Sequence, residues 1–272
     1  MNRSIFLGIP HGGTRVPPSM APELRPDIDA QFILSQSDAY SFELFSNLGT
    51  DYHALEWSRL VVDANRTPRS RRSSGPVPLV DFDNRSLFIR GKEPSEEQIL
   101  ERIERWHAPY HAEVARRLDE GKHRLFIDGH SMAATAPARS PDQRGARPLA
   151  ILGNGGDEDG ELAADARTLS CPPAFARQAL ELLKQAFADH PAPPAPHLVS
   201  SQGEVVLNRI FRGGYGVRHH SKPQTGRYGL QLELNQGLWC DPHDFRLDSR
   251  RLEWMQEVLK QWLSELDALR RV

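Results

Sequence analysis

The sequence has little cysteine and no long apolar run, and both shortages limit what the protein can be. Only two cysteines occur among the 272 residues, Cys171 and Cys240, so neither a disulfide framework nor a cysteine-ligated zinc cluster is available. No stretch approaches the roughly 20 apolar residues of a membrane-spanning helix. The apolar run near the N-terminus is also too short for the core of a signal peptide. We therefore expect a cytoplasmic protein without a membrane partner.

The chain also lacks an excess of charge of either sign. Its formal net charge is −2, which gives no overall attraction to nucleic acid. The local basic cluster of Arg69, Arg71 and Arg72 is best explained as part of a mobile, solvated loop between residues 67 and 86. We predict no nucleic-acid partner. The length is sufficient for a large core, and we expect residues 1–272 to form one domain.

Predicted strands and helices alternate along most of the chain, which favours an α/β fold with a mostly parallel mixed sheet and helices on both faces. We predict strands at Ser4–Ile9, Tyr52–Trp57, Arg59–Asp63, Arg124–Asp128, Pro148–Leu152, Val205–Leu207 and Gly229–Asn235. We predict helices at Asp27–Leu48, Ser95–Gly121, Pro172–Asp189 and Asp248–Leu269, with a kink at Pro109 and a flexible loop at Phe211–Ser221.

Two of the predicted strands end in a glycine turn that carries a histidine. The first strand is followed by Pro10 and His11, and Arg124–Asp128 is followed by Gly129 and His130. Since sites in open α/β sheets lie beyond the carboxyl ends of the strands, the two imidazoles are predicted to share one metal ion. His107 and His111 also share a helix face, but without the zincin glutamate between them they are better explained as hydrogen-bonding histidines.

The strand GLQLELN places Gln231, Glu233 and Asn235 on one face and three leucines on the other. Acidic residues are unusual in strands, so this face is predicted to border a polar pocket, with Glu233 as a general base. The alternative is a buried ion pair with Arg209, Arg218 or Arg227.

Arg59 and Arg66 flank an apolar run that ends near the predicted metal site. A guanidinium matches the two oxygens of a carboxylate, so either arginine could hold an acidic substrate. Together these residues fit hydrolysis of an amide bond in a small acidic molecule. A serine nucleophile is the competing chemistry, but Ser131 has no G-x-S-x-G elbow around it.

Several motifs, read in order, resemble the N-formylglutamate amidohydrolase family. They are IPHGGTRVP, the aspartate of SQSDAYSFELF, RLVVDANR, WHAPYH, LFIDGHSM, FRGGY and LQLELNQ. The resemblance implies a phosphorylase/hydrolase-like fold similar to that of zinc-dependent exopeptidases. It also implies hydrolysis of N-formyl-L-glutamate to formate and glutamate, a step in some bacterial routes of histidine degradation.

By position, the resemblance implies that His11 and His130 bind zinc or another divalent metal. It implies that Glu233 is the base, and that Asn65 and Arg66 bind the substrate carboxylate.

The sequence offers three carboxylates for the third metal ligand. Carboxypeptidase-like sites take a glutamate three residues after the first histidine, where this chain has Thr14. Asp38 is our candidate to replace it, with Asp63 and Asp128 as competitors.

Two other functions remain open at this point. The same metal site could act on another N-acyl amino acid or a small peptide, or the chain could be a binding protein that has lost turnover. The presence of both histidines and of Glu233 argues against loss of turnover.

Overall fold

The computed structural model describes residues 4–120, 123–137, 142, 145–164, 168–194 and 203–270. A six-stranded sheet in the order β2-β1-β3-β6-β4-β5 organises them. Its strands are β1 (Ile5–Ile9), β2 (Asp51–Ala54), β3 (Leu125–Met132), β4 (Ala150–Gly153), β5 (Val205–Leu207) and β6 (Tyr228–Asn235).

The four strands at one side of the sheet run parallel to one another. Strand β1 pairs in parallel with β2 and β3, and β3 pairs in parallel with β6. Strand β4 is antiparallel to β6, and β5 follows β4 in parallel. The prediction of a mostly parallel mixed sheet is confirmed.

Helices cover both faces of this sheet, as predicted. Ile5, Leu7 and Ile9 pack into the core of one face, which α2, α5 and α7 complete. Phe6 and Phe126 point to the opposite face, where they meet α4 and α6. The helices are α1 (Ala30–Ser35), α2 (Ser41–Ser46), α3 (Glu96–Arg102), α4 (Ala108–Asp119), α5 (Pro173–Asp189), α6 (Tyr215–His220) and α7 (Ser249–Leu269).

The predicted helix Asp27–Leu48 is wrong as a continuous element. Asp29 caps α1 through its side chain, but the helix ends at Ser35 and α2 begins only at Ser41. Tyr40, just before α2, has a left-handed backbone with φ of 60°. A left-handed residue cannot continue a right-handed helix, so the chain breaks there. This break contains Asp38.

Three further predictions of local structure are wrong. Arg59–Asp63 is a buried turn instead of a strand, since the amides of Val61 and Val62 bond to the carbonyl of Ser58. Phe211–Ser221 is not only loop, because its second half forms α6. Strand β3 continues to Met132, so His130 lies within the strand instead of beyond its end.

The predicted helix from Ser95 has its capping box, in which Ser95 and Gln98 bond reciprocally. It is divided by a π-helical segment, Ile103–His107, that lies just before Pro109 near the start of α4. Proline has no amide proton to donate, which accounts for the widened turn at the predicted kink. Its predicted end at Gly121 lies outside the described residues.

The two long helices on the other face agree with the prediction. Helix α5 begins at Pro173, and Asp248 caps α7 by accepting from the amide of Arg251. Within the described residues, every helix is too short or too polar to cross a lipid bilayer.

Candidate metal centre

The predicted site residues meet at the carboxyl-terminal edge of the parallel strands. His11 lies two residues beyond β1, and His130 is the sixth residue of β3. Their ring centroids are 4.8 Å apart. Glu233 on β6 lies in register beside His130. Side chains far apart in sequence are therefore close because their strands are neighbours.

Asp38 lies between the two imidazoles. Its Oδ2 atom is 3.1 Å from Nδ1 of His130 and 3.6 Å from Nδ1 of His11. The amide of Ser131 donates to the same oxygen at 3.0 Å and fixes its orientation. One potential ligand atom from each of these three residues lies within 4.8 Å of the other two.

The outer nitrogen of each imidazole is held by another side chain. Nε2 of His11 is 2.8 Å from Oδ1 of Asp63. A carboxylate accepts hydrogen bonds, so this nitrogen carries a proton, and in the neutral form of the ring Nδ1 keeps its lone pair. That Nδ1 is buried and has no hydrogen-bond partner among the described residues. Metal-bound histidines usually have this arrangement, with a carboxylate behind the ring.

Two polar side chains also lie behind the ring of His130. Its Nε2 atom is 3.1 Å from the Asn65 amide nitrogen and 3.4 Å from Oδ2 of Asp128. Asp63 and Asp128, the two competing carboxylates, thus lie behind the rings, whereas Asp38 lies between them. The geometry favours Asp38 over both as the third ligand.

Electrostatics at this site suit a cation. Burial opposes ionisation of Asp63, but Arg59 and His11 outweigh it and hold the pKa well below its usual range. Burial also disfavours a charged His130, yet the carboxylates of Asp128 and Asp38 raise the pKa of that ring well above its ordinary value. A metal ion between the rings would replace this positive charge among the same carboxylates. The donor set and the unpartnered Nδ1 of His11 therefore fit a divalent metal.

Glu233 is buried beside the two histidines and Asp38. Burial raises its pKa to about 8; the charge of His130 opposes this rise and that of Asp38 adds to it. Its Oε1 atom accepts from Nε2 of Gln231 at 2.7 Å. In the described part of the chain no arginine forms an ion pair with it; Arg209 pairs with Glu204. The structure gives no support to the alternative of a buried ion pair.

Comparison with known proteins identifies the family. The model of the N-formylglutamate amidohydrolase family matches residues 3–240. The chain belongs to this family. It is 29% identical to the N-formylglutamate deformylase of Pseudomonas aeruginosa, over 96% of this chain and 92% of that protein. It is 27% identical to the protein of the same name in Pseudomonas putida, over 96% and 91%.

A solved structure shows the same fold. The crystal structure of N-formylglutamate amidohydrolase from Ralstonia eutropha JMP134 has a TM-score of 0.68 at 18% identity, and the match covers 98% of this chain and 94% of that one. The family and the α/β fold implied by the sequence motifs are both confirmed.

In this amidohydrolase-family chain the three predicted substrate-binding residues differ in exposure and in the hydrogen bonds that they already make. Arg59 is largely buried and donates to Asp63 at 2.6 Å, and its guanidinium lies over the ring of Phe82. The side chain of Arg66 is 48% exposed and lies 3.8 Å from Asp63. The Asn65 amide contacts His130 on one side and accepts from the amide of Gly216 at 2.9 Å on the other. Of the three, Arg66 is the most available to a ligand.

Sequence reasoning missed the contribution of α6 to this amidohydrolase site. The amide of Val217 donates to Asp128 at 3.1 Å, as that of Gly216 does to Asn65. A Cβ on Gly216 would lie 2.5 Å from Asp128 Oδ2, and one on Gly214 only 2.1 Å from Asn65 Oδ1. Glycine is required at both positions for this approach. The glycines of FRGGYG were the available signal.

Proposed function

We propose that this protein hydrolyses N-formyl-L-glutamate to formate and L-glutamate, with a divalent metal, zinc in the first instance, bound at the site. Membership of the family and the names of the two Pseudomonas relatives support the reaction. The observation that carries the proposal is the arrangement of Asp38 between the inner nitrogens of His11 and His130, with Glu233 beside them.

His11, Asp38 and His130 would hold the metal through two imidazole nitrogens and one carboxylate oxygen, the usual protein ligands of a hydrolytic zinc. When bound, the metal lowers the pKa of a coordinated water and polarises the carbonyl that is attacked. Asp63 and Asp128 hold the outer ring nitrogens and so orient the two imidazoles.

Glu233 is the group that we assign to proton transfer. A divalent cation beside Glu233 would favour its ionised form, and its carboxylate then accepts a proton from the attacking water, whose oxygen forms a bond to the formyl carbon. The bond between that carbon and the glutamate nitrogen then breaks, and Glu233 returns the proton to the departing nitrogen. The products are formate and glutamate. The hydrogen bond from Gln231 fixes the carboxylate in the pocket, and positioned carboxylates serve such transfers well.

Arg66 is our candidate for binding a carboxylate of the substrate. It is the most exposed of the predicted binding residues, whereas Arg59 is committed to Asp63. A guanidinium that binds a carboxylate through two hydrogen bonds gives both affinity and orientation. The requirement for an acidic substrate then follows from Arg66.

The test is formate release by purified protein, first stripped of metal with a chelator and then supplied with Zn²⁺. We expect activity on N-formyl-L-glutamate only after metal is restored, and much weaker activity on N-formyl-L-leucine and N-acetyl-L-glutamate. Equal or better turnover of the acetyl compound would reassign the substrate. Full activity of the metal-free protein would refute the metal site.

A further inference from the structure

A second group of histidines lies on the other side of the segment Asp63–Arg66, and its hydrogen bonds within the described residues go to that segment and to one another. His107 ends the π-helical segment, His111 lies one turn later on α4, and His220 ends α6. All three imidazoles are buried, at 5% exposure or less. The rings of His107 and His111 are 4.5 Å apart, and those of His111 and His220 are 5.1 Å apart.

Two of these rings bond to backbone carbonyls of the segment Asp63–Arg66. Nε2 of His111 is 2.8 Å from the carbonyl oxygen of Ala64. Nε2 of His107 is 2.8 Å from the carbonyl oxygen of Arg66. A carbonyl oxygen only accepts, so in both rings Nε2 carries the proton and donates.

The protonation of His111 fixes its second hydrogen bond. Burial lowers the pKa of His111 to about 3 and that of His220 to about 2, so both rings are neutral near pH 7. Nδ1 of His111 must then accept, and Nε2 of His220 donates to it at 2.9 Å. The result is a chain of hydrogen bonds, directed from His220 through His111 to Ala64.

The segment Asp63–Arg66 carries polar side chains into the site although it is neither helix nor strand. Its carbonyls at 64 and 66 point to the histidines, while Asp63 holds His11 and Asn65 contacts His130. Buried carbonyls outside regular structure need such partners. The two histidine contacts flank Asn65 and fix the backbone on either side of it.

We propose that His107 and His111 are positioning residues, which hold the segment Asp63–Arg66 through the carbonyls of Arg66 and Ala64 and thereby set the orientation of His11 and the reach of Arg66. His111 acts on the metal side, next to Asp63. His107 acts on the side of Arg66. In this scheme the role of Arg66 rests on the proposed substrate and the effect on Zn²⁺ affinity rests on the proposed metal site, whereas hydrogen exchange of the segment depends on neither.

The experiment compares two replacements at each position. His111→Phe and His107→Phe keep a planar ring but lose the donor, whereas His111→Gln and His107→Gln place an amide N–H near the lost Nε2. His53→Phe is the matched control, because His53 stacks on Tyr110 of the same helix and therefore tests a ring contact to α4 alone. Zn²⁺ affinity is measured by competition with a chromophoric chelator, and thermal unfolding is recorded for every variant.

We expect His111→Phe to weaken Zn²⁺ binding about 10-fold, the lower end of the effect of losing an outer partner of a metal ligand, because His111 acts on that partner, Asp63, only through the backbone. His111→Gln should recover most of that loss. His107→Phe should leave Zn²⁺ affinity within about threefold and raise KM for N-formyl-L-glutamate about 10-fold or more, with kcat little changed, since it disturbs Arg66. Hydrogen exchange of the amides of residues 63–67 should accelerate in both Phe variants but not in His53→Phe.

Other outcomes overturn the proposal. If the losses follow the drop in melting temperature and the Gln variants give no rescue, the histidines are structural only. Unchanged Zn²⁺ affinity in His111→Phe removes the metal-side role even when the protein stays folded. Should wild-type protein release no formate from N-formyl-L-glutamate, the proposed substrate fails, but Zn²⁺ affinity and hydrogen exchange still decide the positioning role.

Discussion

The neutral, buried imidazoles of His111 and His220 should make the stability of this protein fall below pH 6.5. Burial lowers the pKa of the first to about 3 and of the second to about 2, from an ordinary value of 6.5. At a pH below 6.5 but above these lowered pKa values, the unfolded chain binds protons that the folded chain excludes. The free energy of unfolding therefore rises with pH in this range and is lost as the pH falls below 6.5.

The size of this stability loss depends only on how far the two histidines are protonated in the unfolded chain. At pH 5.5 an unfolded histidine is protonated about tenfold over its neutral form, which corresponds to about 1.4 kcal/mol of lost stability per excluded proton. At pH 7.5 the same contribution is below about 0.1 kcal/mol. Together, His111 and His220 should therefore lower the free energy of unfolding by about 3 kcal/mol between pH 7.5 and pH 5.5.

The measurement is urea unfolding at pH 7.5 and 5.5, with a chelator present so that metal binding does not contribute. His220→Gln keeps a donor toward Nδ1 of His111 but cannot titrate. We expect the stability difference between the two pH values to shrink by about 1.4 kcal/mol in this variant. Titration of the other groups is common to both proteins and cancels in the comparison.

Val114→Ala is the control, because it removes buried volume from α4 without removing a titratable group. It should lower stability equally at both pH values. If His220→Gln shows the same difference between the two pH values as wild type, burial does not keep His220 neutral, and the directed chain of hydrogen bonds through His111 is refuted.

Further predictions concern the metal centre and its substrate. Glu233→Gln should lower kcat about 10²-fold or more with metal content and melting temperature unchanged. Glu257→Gln, which changes an exposed carboxylate of α7, is the control and should have no effect. Retained turnover or unfolding of Glu233→Gln would exclude Glu233 as the base. Arg66→Ala should raise KM for N-formyl-L-glutamate about 10-fold or more, the value of a charged hydrogen bond, but raise it far less for N-formyl-L-leucine. Arg71→Ala, which changes a nearby exposed arginine, is the control. Equal losses on both substrates would make Arg66 structural. Asp38→Asn should abolish stoichiometric Zn²⁺ binding as measured by metal analysis, and normal metal content would point to a different third ligand.

Local patterns in the sequence were sufficient to predict the sheet and the two histidines that lie at its edge. Strands buried on both faces read as continuous apolar runs, so β1 and β3 were evident from composition alone. The alternation of β6 placed Glu233 on a polar face, and caps marked the starts of α3 and α7. These features depend on neighbours within a few residues, which is the range that a sequence pattern reports.

The tertiary structure decided which carboxylate lies where. Asp38 was predicted inside a long helix, but α1 ends at Ser35 and the left-handed Tyr40 separates it from α2. Asp38 therefore lies in the break, between the imidazoles of His11 and His130, which are 119 residues apart in sequence. Asp63 and Asp128, which the sequence offered as competitors of Asp38, lie behind the rings instead.

The tertiary structure also determined the secondary structure of two segments that the sequence patterns predicted wrongly. The apolar run Arg59–Asp63 has strand composition, but it finds its hydrogen bonds in a turn on Ser58. The glycine-rich stretch before Ser221 has loop composition, yet its second half becomes a helix whose first amides bond to Asn65 and Asp128. Both outcomes depend on contacts between residues far apart in the chain. The sequence alone therefore determined the sheet and the kind of chemistry, whereas long-range hydrogen bonds between buried polar groups decided the arrangement of the site.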